Sequence, residues 1–337
     1  MQAVCKLLQQ VVEGSQWYQR SQGRDHLLLY THFAVFSCFD YNNSDVWWKH
    51  RVRPMHQDFA RFARNLIIGR KFARETWAHN FHFRMPPSLN NTCVFEVPYL
   101  SPAALPRCSV DPAGQVVCPA LQQEARFEDY LAGRRNTLFF AGNTKRESQP
   151  NVRKLALLRL AGVHPPGHPN ILMSSTNIST SDGSPLPACS FEAEGAPPIS
   201  SPCVSKVGID HYQRLMDSSR FVLQLAGDDV SSARVFDTWD SGALQLTVST
   251  RYYSDVASFK CTIPWHDLMV TITEEEFVKS PEATVLAAIS DVSSNNYQKM
   301  RRMWELQRAY AEDILWHLPG SRVASNIIDQ AMRCLDP

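Results

Sequence analysis

The chain has 337 residues, more than one ordinary domain needs, and its composition, 44% hydrophobic and 20% charged, is that of a globular protein rather than a disordered or fibrous one. With 34 Lys and Arg against 33 Asp and Glu, the net charge is +1, which removes the electrostatic case for nucleic acid or an anionic membrane surface as a partner. No run of about 18 apolar residues is present, so no membrane anchor is expected in this chain, and the polar start from Met1 to Leu8 does not read as a secretory signal.

In chain order, Val4, Leu7, Leu8 and Val11 have helical spacing. Gly23-Arg24-Asp25 leads into His26 to Thr31, a dense apolar strand of the kind buried on both faces, and His32 falls at its carboxyl end. Ligands of α/β folds gather there. An imidazole at that place could act as a base, as could a carboxylate such as Asp25, Asp40 or Glu96; the alternative for His32 is a side chain that closes a loop through one backbone hydrogen bond. Residues 33–60 read as loop, with Trp47-Trp48 serving either a stacking surface or simple packing. Asn65 to Ile68 and Val94 to Val97 read as further strands, and a helix over Gln122 to Gly133 closes an N-terminal α/β domain of residues 1–133.

Nine cysteines give no paired metal pattern. Cys93, Cys108 and Cys118 cluster around one loop and Cys189 and Cys203 bracket another, where an oxidising lumen would allow disulfides and a reducing one would leave thiols. Sequons at Asn42, Asn90 and Asn177 permit glycosylation in a secretory lumen.

A second α/β domain is expected over 134–295. Thr137 to Ala141 reads as a buried strand ending at Gly142, Arg146 follows in the loop, and Asn151 to Leu160 is a helix with Arg153 in its first turn. A cation there opposes the helix dipole unless an anion lies near; otherwise it is an exposed arginine on a tolerant surface. Residues 163–207 are rich in Pro and Ser and read as an insertion without assigned chemistry.

The stretch from Ser219 to Ser249 organises the rest. Arg220 to Leu225 is a strand, Ala226-Gly227-Asp228-Asp229 breaks it, Ser231-Ser232 offer N-caps for a helix to about Asp240, Gly242 stops that helix, and Ala243 to Val248 is a strand again. Such a βαβ unit has parallel strands and presents its helix N-terminus to the crevice where anions bind. Arg234 and Asp237 share one helical face, suited to a phosphate and to ribose hydroxyls respectively; the alternative is an exposed i,i+3 ion pair. Beyond it, Leu268 to Ile272 is a strand, Thr273 and Glu276 form a capping box, and Tyr297 to His317 is a long helix with Met300, Met303, Trp304, Tyr310 and Ile314 inward, within a C-terminal segment of 296–337.

Gly227-Asp228-Asp229, Ser231-Ser232, Arg234-Val235-Phe236-Asp237 and Ser241-Gly242 resemble the donor-site segment of exostosin-type glycosyltransferases. Phe140-Ala141-Gly142 with Arg146 and Arg153, Tyr212 to Ser219, and Gly23-Arg24-Asp25-His26 resemble further motifs of that family, in its plant and algal form and in the same order. At Ala243 to Thr247 the chain departs from the family's usual run while keeping strand character.

The resemblance implies two facing Rossmann-like domains, the GT-B arrangement, with the C-terminal helix packing across the junction. It implies an inverting hexosyl- or pentosyltransferase without a metal or other cofactor, moving a sugar from a nucleotide donor, expected to be UDP-linked, to a polysaccharide or glycoprotein glycan. Arg146, Arg153 and Arg234 would meet the diphosphate, Asp237 the ribose, and Asp228, Ser231, Ser232 and Gly242 would complete the donor site, with His32 or Asp25 as the catalytic base. It also implies a Golgi lumen location, an anchor in the full-length form, and assembly with itself or related transferases. The other reading is a catalytically silent partner that stabilises an active transferase.

Overall fold

The computed structural model describes residues 10–21, 27–30, 67–70, 94–98, 109–110, 112–113, 116–117, 126–142, 152–160, 170–175, 203–204, 209–226, 232–249 and 257–333. The chain divides into two compact units, Met1–Tyr99 with Ser254–Phe259 and Arg322–Pro337, and Leu100–Tyr253 with Lys260–Ser321. The first unit carries helix α1 (Gln16–Ser21) and strands β1 (Leu27–Tyr30), β2 (Ile67–Arg70) and β3 (Val94–Glu96), which form a parallel sheet in that order. Among the described residues the middle strand covers Ile67 and Ile68 of the run expected from Asn65 and continues to Arg70.

In the second unit a small antiparallel pair, β4 (Ser109–Val110) with β5 (Val116–Val117), precedes the main α/β body. Helix α2 (Phe127–Gly133) leads into β6 (Asn136–Gly142), α3 (Val152–Leu160), β7 (Asn170–Ser175), β8 (Cys203–Val204), α4 (Ile209–Asp217), β9 (Ser219–Leu225), α5 (Ala233–Ser241) and β10 (Leu244–Val248). A short turn of helix, α6 (Trp265–Leu268), runs into β11 (Met269–Ile272), and α7 (Glu274–Lys279) and α8 (Pro281–Ala309) follow. The six strands are all parallel, in the order β11-β10-β9-β6-β7-β8. Numbered from β6, this is 6-5-4-1-2-3, the doubly wound order in which the chain reverses direction of travel between its first and fourth strands.

Period-two alternation assigns the two faces of this sheet. Phe221, Leu223 and Leu225 of β9 and Leu244, Leu246 and Val248 of β10 face one apolar core with α3, α7 and α8. Val222 and Phe139 face the other, with Met216 of α4 and Ala243. Each fully buried Leu or Phe contributes roughly 1.5–3 kcal/mol, so this sheet is the stable platform of the unit.

Three elements differ from their predicted form. Strands β7 and β8 lie inside the Pro/Ser-rich 163–207 segment, so that segment supplies the sheet's far edge rather than a bare insertion; the short apolar run Ile171-Leu172-Met173 was masked by its Ser-rich surroundings. Gln122 to Gly133 is helical from Phe127 onward among the described residues. The long helix begins at Pro281, a residue suited to a first helical position, and breaks at Ser294–Tyr297, where Asn295, Asn296 and Tyr297 have positive φ. It ends at Ala309; Ile314 belongs to a further turn, α9 (Ala311–Ile314), and His317 lies beyond it. Helix α10 (Val323–Met332) closes the described chain. The Thr273 and Glu276 capping box forms as predicted, with Glu276 N donating to Thr273 Oγ1 at 3.1 Å and Thr273 N to Glu276 Oε2 at 3.3 Å. No helix among the described residues is long and apolar enough to cross a membrane.

Arg134 joins the elements around the sheet's amino edge. Fully buried, it donates from Nη1 to the carbonyls of Ser219 (2.8 Å) and Met216 (3.3 Å) and from Nη2 to that of Ser241 (2.7 Å), with its guanidinium 4.7 Å from the Tyr130 ring centroid. One fork thus satisfies carbonyls at the ends of α4 and α5 and the start of β9, a task that the three rotatable protons of a lysine perform less well. Arg134→Met is expected to remove at least about 3 kcal/mol from the unfolding free energy in urea, because it leaves several buried carbonyls unpaired, and Arg134→Lys should recover only part of that.

Candidate functional site

The reversal between β6 and β9 leaves a crevice at the carboxyl ends of these strands, the place where open α/β sheets bind their ligands. Helix α5 starts from that edge. Ser232 is its N-cap, with Oγ accepting from Arg234 N at 3.3 Å, which satisfies one of the helix's unpaired amides and leaves the hydroxyl proton to donate.

Arg234, in the first turn, is 8% exposed. Its Nη2 reaches across the crevice to the carbonyl of Ala141 at 2.9 Å, and the guanidinium lies 4.9 Å from the Phe140 ring centroid. Nε and Nη1 are buried and have no hydrogen-bond partner among the described residues. A cation–π contact in a desolvated place gives about 2 kcal/mol or more, and a hydrogen bond from a charged group to a carbonyl about 1.5–3 kcal/mol. Together these are of the same order as the several kcal/mol that taking a cation out of water costs, with two nitrogens still unspent. Two of the guanidinium donors, Nε and Nη1, are thus unspent among the described residues.

Arg153 mirrors it. From the helix after β6 it donates Nε to Ala226 O at 3.0 Å and Nη2 toward Leu225 O at 3.4 Å, at the end of β9. It braces the end of β9, and these two donors are committed to backbone rather than held for a ligand. The exposed-arginine alternative does not hold, since the side chain is half-buried.

Asp237 is 7% exposed and its Oδ2 accepts from Tyr212 Oη at 3.4 Å. Burial first, and then the Asp237 charge, push the Tyr212 phenol well above its ordinary pKa, with Arg234 acting in the opposite direction. The exposed ion pair considered for Arg234 and Asp237 is not what forms: both side chains are buried, and Arg234 turns to Ala141. From the sheet, Gln224 Nε2 donates to Thr238 Oγ1 at 2.9 Å and Arg234 O at 3.3 Å, and Gln245 Nε2 donates to Val235 O at 3.2 Å, so two glutamines clamp the helix backbone from below.

The structure thus brings Ser232, Arg234 and Asp237 together on α5, with Arg153 across the crevice. Gly242 is not among them. It caps the other end of α5 with φ 69° and its N–H bonded to Trp239 O, about 13 Å away along a helix of nine residues. Left-handed φ there demands glycine, which explains the residue without a ligand. His32, Asp25, Arg146, Asp228 and Ser231 lie outside the described residues, as do Cys93, Cys108, Cys118 and Cys189.

Three positions escaped the sequence reading. Tyr212 opens a stretch that resembles a family motif but has no role readable from it, and Gln224 carries no local pattern, because both act on a helix that follows in the chain. Gly142 was seen as a strand end, yet a Cβ there would stand 2.8 Å from Phe140 Cζ and 3.0 Å from Arg234 Nη2, so its lack of a side chain is what lets the guanidinium reach β6.

A family profile, the Exostosin GT47 domain, matches residues 2–282. No protein of curated function matches the chain by sequence. Similar solved structures include WaaG, a glycosyltransferase involved in lipopolysaccharide biosynthesis, at 12% identity over 89% of this chain and 74% of that one, with a TM-score of 0.42. Another is the alpha,alpha-trehalose 6-phosphate synthase of Burkholderia multivorans, at 10% identity over 99% of this chain and 74% of that one, TM-score 0.46. A third is Arabidopsis thaliana UGT89C1 complexed with UDP-L-rhamnose, at 11% identity over 91% of this chain and 66% of that one, TM-score 0.36.

Gly142→Ala is expected to lower unfolding stability by about 1–3 kcal/mol through overpacking against Phe140 and Arg234, measured by urea denaturation. Ser232→Ala should cost about 1 kcal/mol by the same measurement, through loss of the cap.

Proposed function

The chain belongs to the exostosin GT47 family and is a glycosyltransferase, and from that premise we propose that the crevice between β6 and β9 binds the diphosphate of a UDP-sugar for metal-independent, inverting transfer to a glycan. What supports this most is Arg234, a nearly buried cation whose Nε and Nη1 have no partner among the described residues, at a helix start on the sheet's switch point. An anion of two phosphates fits that deficit, since the dipole of α5, the Ser232 hydroxyl and the guanidinium all act on negative charge. Asp237, one turn further along, is the group for the ribose hydroxyls.

In the proposed reaction the acceptor hydroxyl oxygen attacks the anomeric carbon from the face opposite the diphosphate. Its proton passes to a base, for which His32 and Asp25 are the candidates. The bond from the anomeric carbon to the phosphate oxygen breaks with its electron pair on the leaving diphosphate, and the configuration inverts. Arg234 contributes most as that charge develops, because a preorganised donor in a dry site needs no reorganisation at the moment of transfer. Arg146, Asp228 and Ser231 follow β6 and β9 in the sequence and join this donor site in the same proposal, with Arg153 bonded at the end of β9. We place the reaction in the Golgi lumen, on a polysaccharide or glycoprotein acceptor.

The test is thermal unfolding with UDP and a panel of UDP-sugars. A ligand at about 100 times its Kd adds roughly 2.7 kcal/mol, a visible rise in Tm. Arg234→Ala is expected to abolish the rise while the variant still folds, and Arg234→Lys to restore part of it, because an ammonium keeps the charge without the planar fork. A chain whose Tm no nucleotide sugar moves would be a silent partner of another transferase instead.

A further inference from the structure

Tyr212 has no assigned part in donor binding, and the transfer chemistry needs no phenol at this depth. Its hydroxyl is nevertheless bonded to one charged side chain of the proposed site, Asp237, and feels the charge of the other, Arg234. Arg234 and Asp237 are three residues apart on α5, the spacing at which a guanidinium and a carboxylate ordinarily find each other, and both are more than nine-tenths buried. In so dry a place their attraction is far stronger than at a surface. Yet Arg234 spends Nη2 on Ala141 O and leaves Nε and Nη1 without a partner among the described residues, while Asp237 Oδ2 accepts from the Tyr212 hydroxyl. The phenol is acted on by both charges, in opposite senses. It is also held firmly: its ring packs on Phe139 with centroids 5.8 Å apart, and its neighbours Leu215 and Met216 are set in the apolar cluster beneath α4.

We infer that Tyr212 is a positioning residue whose hydroxyl stands between Arg234 and Asp237 and keeps the carboxylate from closing on the guanidinium, which stays open to a diphosphate. The inference rests on the donor-site reading above. A phenol suits the task because it is rigid, reaches the carboxylate as a neutral donor and brings no charge of its own to compete for the ligand.

The experiment measures inorganic pyrophosphate and UDP binding by calorimetry to the whole chain and to Tyr212→Phe, Asp237→Asn and the double variant. Pyrophosphate has no ribose, so it reports on the phosphate end of the site, where Arg234 lies, without Asp237's own part in holding ribose. Tyr212→Phe keeps the ring on Phe139 and is expected to weaken pyrophosphate binding about tenfold, as Asp237 turns to Arg234 and neutralises it. Adding Asp237→Asn, which cannot neutralise the cation, is expected to bring pyrophosphate binding back to within about threefold of the unaltered chain. A general loosening of the fold would not be repaired by a second substitution, so this rescue separates positioning from support.

Unchanged pyrophosphate binding in Tyr212→Phe, or a loss that Asp237→Asn does not restore, overturns the inference and leaves the donor site standing. Failure of the unaltered chain to bind either ligand overturns both. If Tyr212→Phe loses its cooperative unfolding transition, Tyr212→Met carries the same comparison, since its flexible chain fills the space without a hydroxyl.

Discussion

A polar helix buried along its length is the constraint on which this protein is built. Every residue of α5 from Arg234 to Ser241 is buried, and Arg234, Asp237, Thr238, Asp240 and Ser241 carry polar side chains into that interior. Buried polar groups are costly unless they are bonded, so the surroundings have to supply partners. They do so from several directions. Gln224 and Gln245 rise from the sheet, Tyr212 comes from α4, His317 places Nε2 2.9 Å from Asp240 Oδ1, and Arg134 takes the carbonyl of Ser241. At the far end Gln307 of α8 donates to Ala243 O at 2.9 Å, just past the helix stop.

That dependence explains why the two faces of the main sheet differ. The face toward α3, α7 and α8 is apolar throughout its core. The other alternates apolar Val222 with polar Gln224 and apolar Ala243 with polar Gln245, because this face has to hold a helix by its backbone as well as by its packing. A helix tied in this way cannot rotate or slide to meet a ligand, and preorganisation of that sort is what electrostatic catalysis requires.

The switch point then decides where the charge goes. Arg234 leaves the helix after β9 to bond the end of β6, and Arg153 leaves the helix after β6 to bond the end of β9. These reciprocal ties close the crevice's floor from both sides. Their energetics differ: Arg153 is half-buried and keeps contact with water, whereas Arg234 is nearly dry with two nitrogens unpaired among the described residues. The cost of unpaired buried donors thus falls at one arginine, while the helix and sheet around it are bonded by Gln224 and Gln245.

Much of this was legible in the order of residues. The strands β9 and β10, helix α5 between them, the Ser232 cap, the Gly242 stop and the Thr273 and Glu276 capping box depend on neighbours within a few positions, and each forms as the pattern requires. The α/β class and the family motifs were readable for the same reason. Strand order, the burial of all of α5, the clearance at Gly142 and the meeting of Tyr212 with Asp237 were not, because they join segments tens of residues apart in the chain. Sequence alone determined, to within about a residue, where β9, α5 and β10 begin and end, and it named the side chains that are candidates for a phosphate. The tertiary structure decided which of those side chains is left with unspent donors, since a hydrogen-bond deficit belongs to a packed environment and not to any residue by itself.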